Sequence, residues 1–233
     1  MAAPLADTLR DMVRARFVEV MAEEVVALDE ASLLVSAALQ PDLDRSTWIR
    51  ALDDLAAACP DPTAEGVARF LFSGERFVGN RGAYYDWRNS CLDRVISTRT
   101  GIPISLSVLM IEVARRIGVP TVGIGMPAHF LVRAADDEHL FFDPFHGGRA
   151  LDRSDAQRRF EAVTNGQVAW DDAYLDPTPN RDIVIRMLNN LKGVFLGRGD
   201  AVRLGIVMSL RATLPELAET EAGEITTATA LFN

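Results

Sequence analysis

The sequence predicts an α+β fold, in which a buried central helix packs against a small antiparallel sheet and further helices precede and follow them. Three observations lead to this prediction. Segments up to residue 74 repeat apolar residues at helical spacing. The stretch GIPISLSVLMIEVARRIG, residues 101–118, is apolar nearly all round, which is typical of a buried helix. Residues 121–143 have the composition and turn signals of short strands, and helical spacing returns after them.

Composition indicates a globular, soluble protein. The chain has 233 residues, of which 48% are hydrophobic, enough for a substantial core. Its formal net charge of -9 argues against an extended phosphate-binding surface, so no nucleic-acid partner is expected. The two cysteines form no disulfide framework, and the charged start has no apolar run of signal-peptide or membrane-span length. We therefore expect a cytoplasmic location, no membrane contact and no cofactor.

Four amphipathic helices are predicted in the first third of the chain, beginning with one over residues 5–28. The next three are a helix that stops before Pro41, a helix capped by Ser46 or Thr47 and ended by Pro60, and a helix capped by Thr63 and closed at Gly74. The segment VGNRGAYYDWRNS, residues 78–90, has no period and is predicted to be an ordered loop.

The central helix follows a short one. Ser90 and Asp93 have the spacing of a capping box, which predicts a short helix over SCLDRVIST. Pro103 suits the first turn of the central helix, and Gly118 suits its C-terminal end.

Three strands are predicted at residues 121–125, 129–133 and 139–143, with ADDE as the turn of the second hairpin. A helix over residues 154–166 and two helices broken by GRG follow. The expected organisation is an N-terminal helical extension at 1–27, one domain at 28–205 and a tail at 214–233 without a clear period. Within it we expect a helical part at 28–80, a core at 81–165 and C-terminal helices at 178–213.

His129 and Asp143 are the first candidate site residues, because they stand at adjoining ends of the predicted hairpin. A carboxylate that accepts from one imidazole nitrogen raises the basicity of the other, so the pair has the form of a general base. The alternative is a structural histidine at a strand edge. His146 lies three residues beyond Asp143, but a metal set of these three residues matches no strong signature, and no metal is expected.

A nucleophile for this pair is harder to find. Thiol enzymes of the papain and transglutaminase type place a cysteine at the N-terminus of a buried helix, where the helix dipole lowers its pKa. The helix that begins at GIPISLS contains no cysteine, and Ser105 lies in its first turns. Cys91 is the remaining candidate, although it suits a small core residue equally well, and Cys59 is a weaker one. Asn89 is either an oxyanion donor or a residue that ties down a turn.

Three blocks of sequence together resemble the SirB-type transglutaminase-like family, a group of bacterial proteins whose domain also occurs in an F-box protein. The blocks are YYDWRNSCLDRVISTRTGIPISLSVLMIEVARRIGVP, GIGMPAHFLVR and FFDPFHGG. Each block alone is a weak signal, but their order is specific, and the resemblance extends from about residue 28 to residue 195.

The resemblance implies a transglutaminase- or papain-like core. It also implies that His129 matches the catalytic histidine, Asp143 the catalytic aspartate, and residues 103–105 the cysteine position. Family members commonly lack that cysteine. This sequence departs from the family in having Trp87 where proline is usual and Cys91 where an aromatic or aliphatic residue is usual.

Three functions are compatible with these residues. The favoured one is a non-catalytic protein- or peptide-binding scaffold, in which case a protein or peptide partner is expected. The second is a hydrolase or amidotransferase that uses Cys91 or Ser105 with His129 and Asp143. In the third, His129 and Asp143 only join the hairpin to the helix. The sequence does not indicate an oligomeric state.

Overall fold

The computed structural model describes residues 3–217. Its α-helices are α1 (Ala3–Met21), α2 (Leu28–Leu39), α3 (Arg45–Ala57), α4 (Ala64–Phe72), α5 (Leu92–Thr98), α6 (Pro103–Arg116), α7 (Arg153–Thr164), α8 (Asn180–Arg198) and α9 (Ala201–Arg211). Its strands are β1 (Val78–Gly79), β2 (Thr100–Gly101), β3 (Thr121–Ile124), β4 (Leu131–Ala134), β5 (Phe141–Asp143), β6 (Arg149–Leu151) and β7 (Pro177–Thr178). The predicted α+β class is confirmed.

The main sheet has five strands in the order β6-β5-β4-β3-β7, and all neighbours in it are antiparallel. Its two faces are both covered, because alternate side chains enter different cores: Val132 and Phe142 the large one, Leu131 and Phe141 a smaller one under α7. Both faces being buried explains why the strand sequences are apolar without alternation.

The predicted sheet was too small, and its strands were too long. The edge strands β6 and β7 were missed because two or three residues cannot display a period of two. The predicted strand 129–133 starts two residues later, so His129 lies in the turn before β4. The predicted strands 121–125 and 139–143 likewise shorten to β3 and β5.

Helix α6 is the buried centre of the molecule, as predicted. Every residue from Pro103 to Ala114 is buried, and the helix packs on β3 and β4 and on helices α3, α4 and α5. Pro103 occupies its first position, and Gly118 follows the helix with a φ of +74°. That left-handed backbone favours glycine and ends the helix.

Three helix starts differ from the predictions. Asp44, rather than Ser46 or Thr47, caps α3 by accepting from the Ser46 N–H. Ser90 does not cap α5, because it ends a 3-10 turn over Trp87–Ser90 and the helix begins after Cys91. Helix α7 begins at Arg153 because the Asp152 side chain accepts from the Asp155 N–H. In α3 and α7 an aspartate just upstream supplied the cap.

The first helix is shorter than predicted. It ends at Met21 instead of residue 28, and residues 22–27 form the link that lets α2 pack against α1. The β-branched pair Val25–Val26 in this link has weak helix propensity, and across the turn Arg16 pairs with Glu30 at 2.8 Å.

The C-terminal helices α8 and α9 pack on each other and on α2, and they separate at Gly199, within the predicted GRG break. None of the helices in the part of the chain that the structure describes is long and apolar enough to span a bilayer. Most of the predicted tail, residues 218–233, lies outside the described residues.

Candidate functional site

The structure brings His129 and Asp143 together at the open end of the hairpin. Strands β4 and β5 pair antiparallel, with Val132 opposite Phe142, so the turn before β4 lies beside the end of β5. The Nε2 atom of His129 is 3.1 Å from Oδ2 of Asp143, and both side chains are buried. The contact is within ion-pair distance but does not meet the geometry of a hydrogen bond.

Asp143 is the hub of a buried cluster. Its Oδ2 is 2.8 Å from Nδ1 of His146 and 3.0 Å from Nε of Arg159, and its Oδ1 accepts from the His146 N–H. Burial alone would raise the pKa of Asp143, but the rings of His129 and His146 outweigh it and hold that pKa well below its ordinary value. The carboxylate is therefore ionised throughout the neutral range.

Arg159 was not among the predicted site residues. It lies on α7, where its neighbour Arg158 and the following Glu161 are exposed charges of an ordinary polar face. Nothing in its spacing distinguishes it from them, because its role depends on how α7 docks over β5.

A pocket of about 170 Å³ lies where His129 meets the N-terminus of α6. Its lining residues are Tyr84, Ile102, Pro103, Ile104, Ala128, His129, Phe130, Arg186 and Asn190. Two of these residues share a neighbour outside the lining, since the Phe145 ring meets Tyr84 edge-on at 5.9 Å and His129 at 6.4 Å.

The turn that presents His129 is strained. Ala128 has a φ of +60°, which is the left-handed region that residues other than glycine rarely adopt. Such a conformation costs about 1–2 kcal/mol and persists where the surrounding structure imposes it, often beside a functional site.

Cys91 is not part of this pocket. Its side chain is fully buried, and its Sγ donates to the Trp87 carbonyl at 3.8 Å. Burial, reinforced by the nearby Asp93 carboxylate, raises the pKa of the Cys91 thiol. This environment is the reverse of one that activates a thiol and is that of a core residue. Cys59 is half-buried beside the Asp61 carbonyl and does not line the pocket.

Ser105 and Asn89 are both occupied by structural hydrogen bonds. The Ser105 hydroxyl donates to the Asn89 carbonyl at 2.6 Å and accepts from the Ile102 N–H at 3.1 Å, so it joins α6 to the residue just before the helix and to the loop that carries Asn89. The Asn89 side chain accepts from Asn80 and donates to the carbonyls of residues 83 and 84. Neither side chain lines the pocket, and the structure favours the turn-tying alternative for Asn89.

Comparison with known proteins places this architecture. A model of the transglutaminase-like superfamily matches residues 19–189. The chain belongs to the transglutaminase-like superfamily. A UPF0162 protein of Xylella fastidiosa is 38% identical over 186 residues, which cover 74% of this chain and 66% of that relative. Protein SirB1 of Salmonella typhimurium is 22% identical over 175 residues, covering 74% of this chain and 63% of that protein. These relatives confirm the SirB-type resemblance.

A shorter match reaches beyond bacteria. F-box only protein 21 of Homo sapiens is 36% identical over 90 residues, which cover 35% of this chain and 14% of that protein. No solved structure matches the chain.

In this transglutaminase-like protein, the position that the resemblance assigns to the nucleophile is the first turn of α6. Pro103 stands there, at the first helical position. Of the residues that line the pocket, none carries a thiol or an aliphatic hydroxyl.

The cluster around Asp143 has a donor set that a metal ion accepts, since one ligand atom each from His129, Asp143 and His146 lie within 4.8 Å of one another. However, the Arg159 guanidinium contacts the same carboxylate oxygen at 3.0 Å. Because a metal ion would face this cation at close range, the arrangement suits an ion-paired cluster better than a metal centre.

Proposed function

We propose that this transglutaminase-like protein is a non-catalytic peptide-binding scaffold. The observation that carries the proposal is the pocket at the N-terminus of α6, which keeps His129 but has Pro103 where the superfamily nucleophile is expected. Thiol acyl transfer requires a low-pKa thiolate beside the base. Burial of the Cys91 thiol counts against Cys91 as the nucleophile, and the hydrogen bonds of the Ser105 hydroxyl count against Ser105.

The rim of the pocket suits a peptide. Tyr84 lines the pocket, and the adjoining Tyr85 is 71% exposed with its ring edge-on to Tyr84 at 5.3 Å. Exposed tyrosines beside a concave site are typical of protein-recognition surfaces, because they offer a large contact area at low entropic cost.

The binding test is selection of a displayed random-peptide library on the wild-type protein, followed by affinity measurement on two variants. Asn190→Phe places a bulky ring in the pocket, and Leu196→Phe adds one at an exposed position of the same helix. We expect peptides that bind the wild type and Leu196→Phe alike but bind Asn190→Phe at least about tenfold more weakly. Failure to select any peptide, or equal affinity for all three proteins, would contradict the proposal.

The absence of thiol chemistry has its own test. In the folded protein, iodoacetamide should modify Cys91 far more slowly than a free thiol at the same pH, because the buried thiol stays protonated. Mass spectrometry after timed exposure locates the modified cysteine, and a denatured sample gives the reference rate. Rapid alkylation of Cys91 that slows in His129→Ala would instead support the enzyme hypothesis.

A further inference from the structure

We infer that the pocket at the N-terminus of α6 binds a carboxylate of its peptide ligand, with Arg186 as the counter-ion. This inference rests on the peptide-binding function proposed above and adds the chemical group that the pocket selects. The claim comes from charges and donors that converge on the pocket from three separate segments of the protein.

Arg186 supplies the positive charge. From α8 it reaches the turn before β4, where its guanidinium donates to the carbonyls of Met126 and His129 and lies 5.5 Å from the Phe130 ring centre. Within residues 3–217, no carboxylate is within ion-pair distance of this half-buried guanidinium. A partly desolvated charge without a counter-charge is unfavourable, so an anion that enters the pocket would gain a favourable interaction with it.

The start of α6 adds a second attraction for an anion. Ile102 occupies the N-cap position of this 14-residue helix and has no side-chain oxygen, and Pro103 carries no N–H. The N–H groups of Ile104 and Ser105 therefore have no side-chain acceptor. Ile102, Pro103 and Ile104 all line the pocket. Uncapped N–H groups and the positive end of the helix dipole together favour a negative group at this place.

Tyr84 completes the donor set. Burial raises the pKa of Tyr84, so its phenol remains an O–H donor at neutral pH. A carboxylate bound here would accept from the Tyr84 hydroxyl as well as from Arg186.

The size of the pocket restricts what enters it. A volume of about 170 Å³ is below the usual range for drug-sized ligands and suits one small acidic group at the end of a larger molecule. Two parts of a peptide carry such a group: its C-terminus and the side chain of Asp or Glu. The protein as a whole is acidic, with a net charge of -9, and repels anions. A carboxylate is therefore attracted to the cationic pocket rather than to the rest of the surface.

The test uses three small probes and amide chemical shifts measured by NMR at constant ionic strength. N-acetylglycine presents a terminal carboxylate, the α-amide of N-acetylglutamate presents a side-chain carboxylate, and N-acetylglycinamide is the neutral match. We expect the N–H signals of Ile104 and Ser105 to shift saturably with an acidic probe, and at least about tenfold more weakly with the neutral one. Stronger binding of N-acetylglycine would identify a C-terminal ligand, and stronger binding of the glutamate probe an acidic side chain.

Variants assign the charge. Arg186→Gln should weaken the binding of the acidic probes at least about tenfold, and Arg186→Lys should retain most of it. Arg198→Gln is the control, because it makes the same change of net charge on the same helix. If Arg186→Gln does not fold, the Arg186→Lys titration and the probe comparison decide. Loss of Arg198 should leave the shifts unchanged.

Three outcomes would overturn the inference: no saturable shift up to about 50 mM probe, equal binding of acidic and neutral probes, or undiminished binding to Arg186→Gln. The peptide-binding proposal would survive them if library peptides without acidic side chains still bound the pocket as C-terminal amides.

Discussion

Among single residues, Asp143 has the most consequential surroundings. It is fully buried, and its carboxylate contacts His129, His146 and Arg159 from three different segments. Such a group couples the protonation of one carboxylate to the packing of the hairpin, the following turn and α7. Its effect on stability must therefore depend on pH.

The sign of that dependence follows from the direction of the pKa shift. Because the pKa of Asp143 is lower in the folded than in the unfolded protein, its contribution is fully present above about pH 5 and declines as the pH falls toward 2. Asp143→Asn should destabilise the protein at pH 7, and the gap to the wild type should narrow between about pH 5 and pH 2.5. Urea unfolding at several pH values measures this gap.

The exposed Asp136, in the turn of the same hairpin, provides the control. Asp136→Asn should follow the wild type at every pH, since its side chain is solvated. A constant gap between Asp143→Asn and the wild type would show that the Asp143 carboxylate contributes packing alone.

Ala128 offers a test of strain beside the site. Its φ of +60° suits glycine, so Ala128→Gly should relieve about 1–2 kcal/mol and lose only about 0.5–1 kcal/mol to the entropy of the unfolded state. Thermal unfolding should therefore show a slightly more stable variant. Ala51→Gly, in the middle of α3, should instead lose about 1 kcal/mol. Equal losses in the two variants would mean that Ala128 is not strained.

The sequence was informative about those site residues whose position depends on strand pairing. Antiparallel pairing of two predicted strands shows which of their residues are adjacent, so the proximity of His129 and Asp143 could be predicted from the sequence. Arg159 and Arg186 reach the site from α7 and α8, and the docking of a helix depends on the whole core. Cys91 and Ser105 remained open in the sequence because only burial and hydrogen-bond partners separate a nucleophile from a packing residue.

Of the secondary-structure elements, α6 has two contrasting ends. Its N-terminus opens on the pocket, and its C-terminus carries a buried ion-pair network. Arg116 is 2.5 Å from Asp29, 2.6 Å from Glu112 and 2.8 Å from Asp53, which joins α6 to α2 and α3. The network holds the C-terminal end of α6 against α2 and α3.

Two neighbouring arginines allow the strength of this network to be measured. Arg115 and Arg116 both contact Asp29 and Glu112, but the Arg115 side chain is 58% exposed and that of Arg116 is 10% exposed. Arg116→Gln leaves two buried carboxylates with only the exposed Arg115 as partner and should cost up to about 3–5 kcal/mol, whereas Arg115→Gln should cost less than about 1 kcal/mol. Chemical denaturation compares the two. Similar costs would show that burial does not strengthen these pairs.

Long elements with a strong period were predicted well, and short ones were not. The buried α6 and the pair α8 and α9 follow from helical spacing over many residues, and glycine marks the ends of α6 and α8. The edge strands β6 and β7 exist only because a neighbouring strand offers hydrogen bonds to them. The observed starts of α3 and α7 differ from the predicted ones because a preceding aspartate caps each helix.

At the scale of the whole molecule, the question is whether α1 unfolds cooperatively with the rest of the protein. The division at residue 27 into an extension and a domain stays a prediction. However, Phe17, Val20 and Met21 are buried in the same core as α2 and α8. Burial of three such side chains contributes about 1.5–3 kcal/mol each, and their sum is comparable with the whole stability of a typical domain.

Removal of residues 1–21 should therefore unfold the protein as a whole, with loss of the near-ultraviolet circular dichroism signal and of cooperative melting. Point variants in α1 distinguish the contribution of its buried side chains from that of the helix itself. Phe17→Ala should cost about 3–5 kcal/mol, while Val18→Ala, at the adjoining exposed position, should stay within about 0.5 kcal/mol of the wild type. A truncated protein that melts cooperatively near the wild-type temperature would show that α1 is an appendage, and the core would then have to be complete without it.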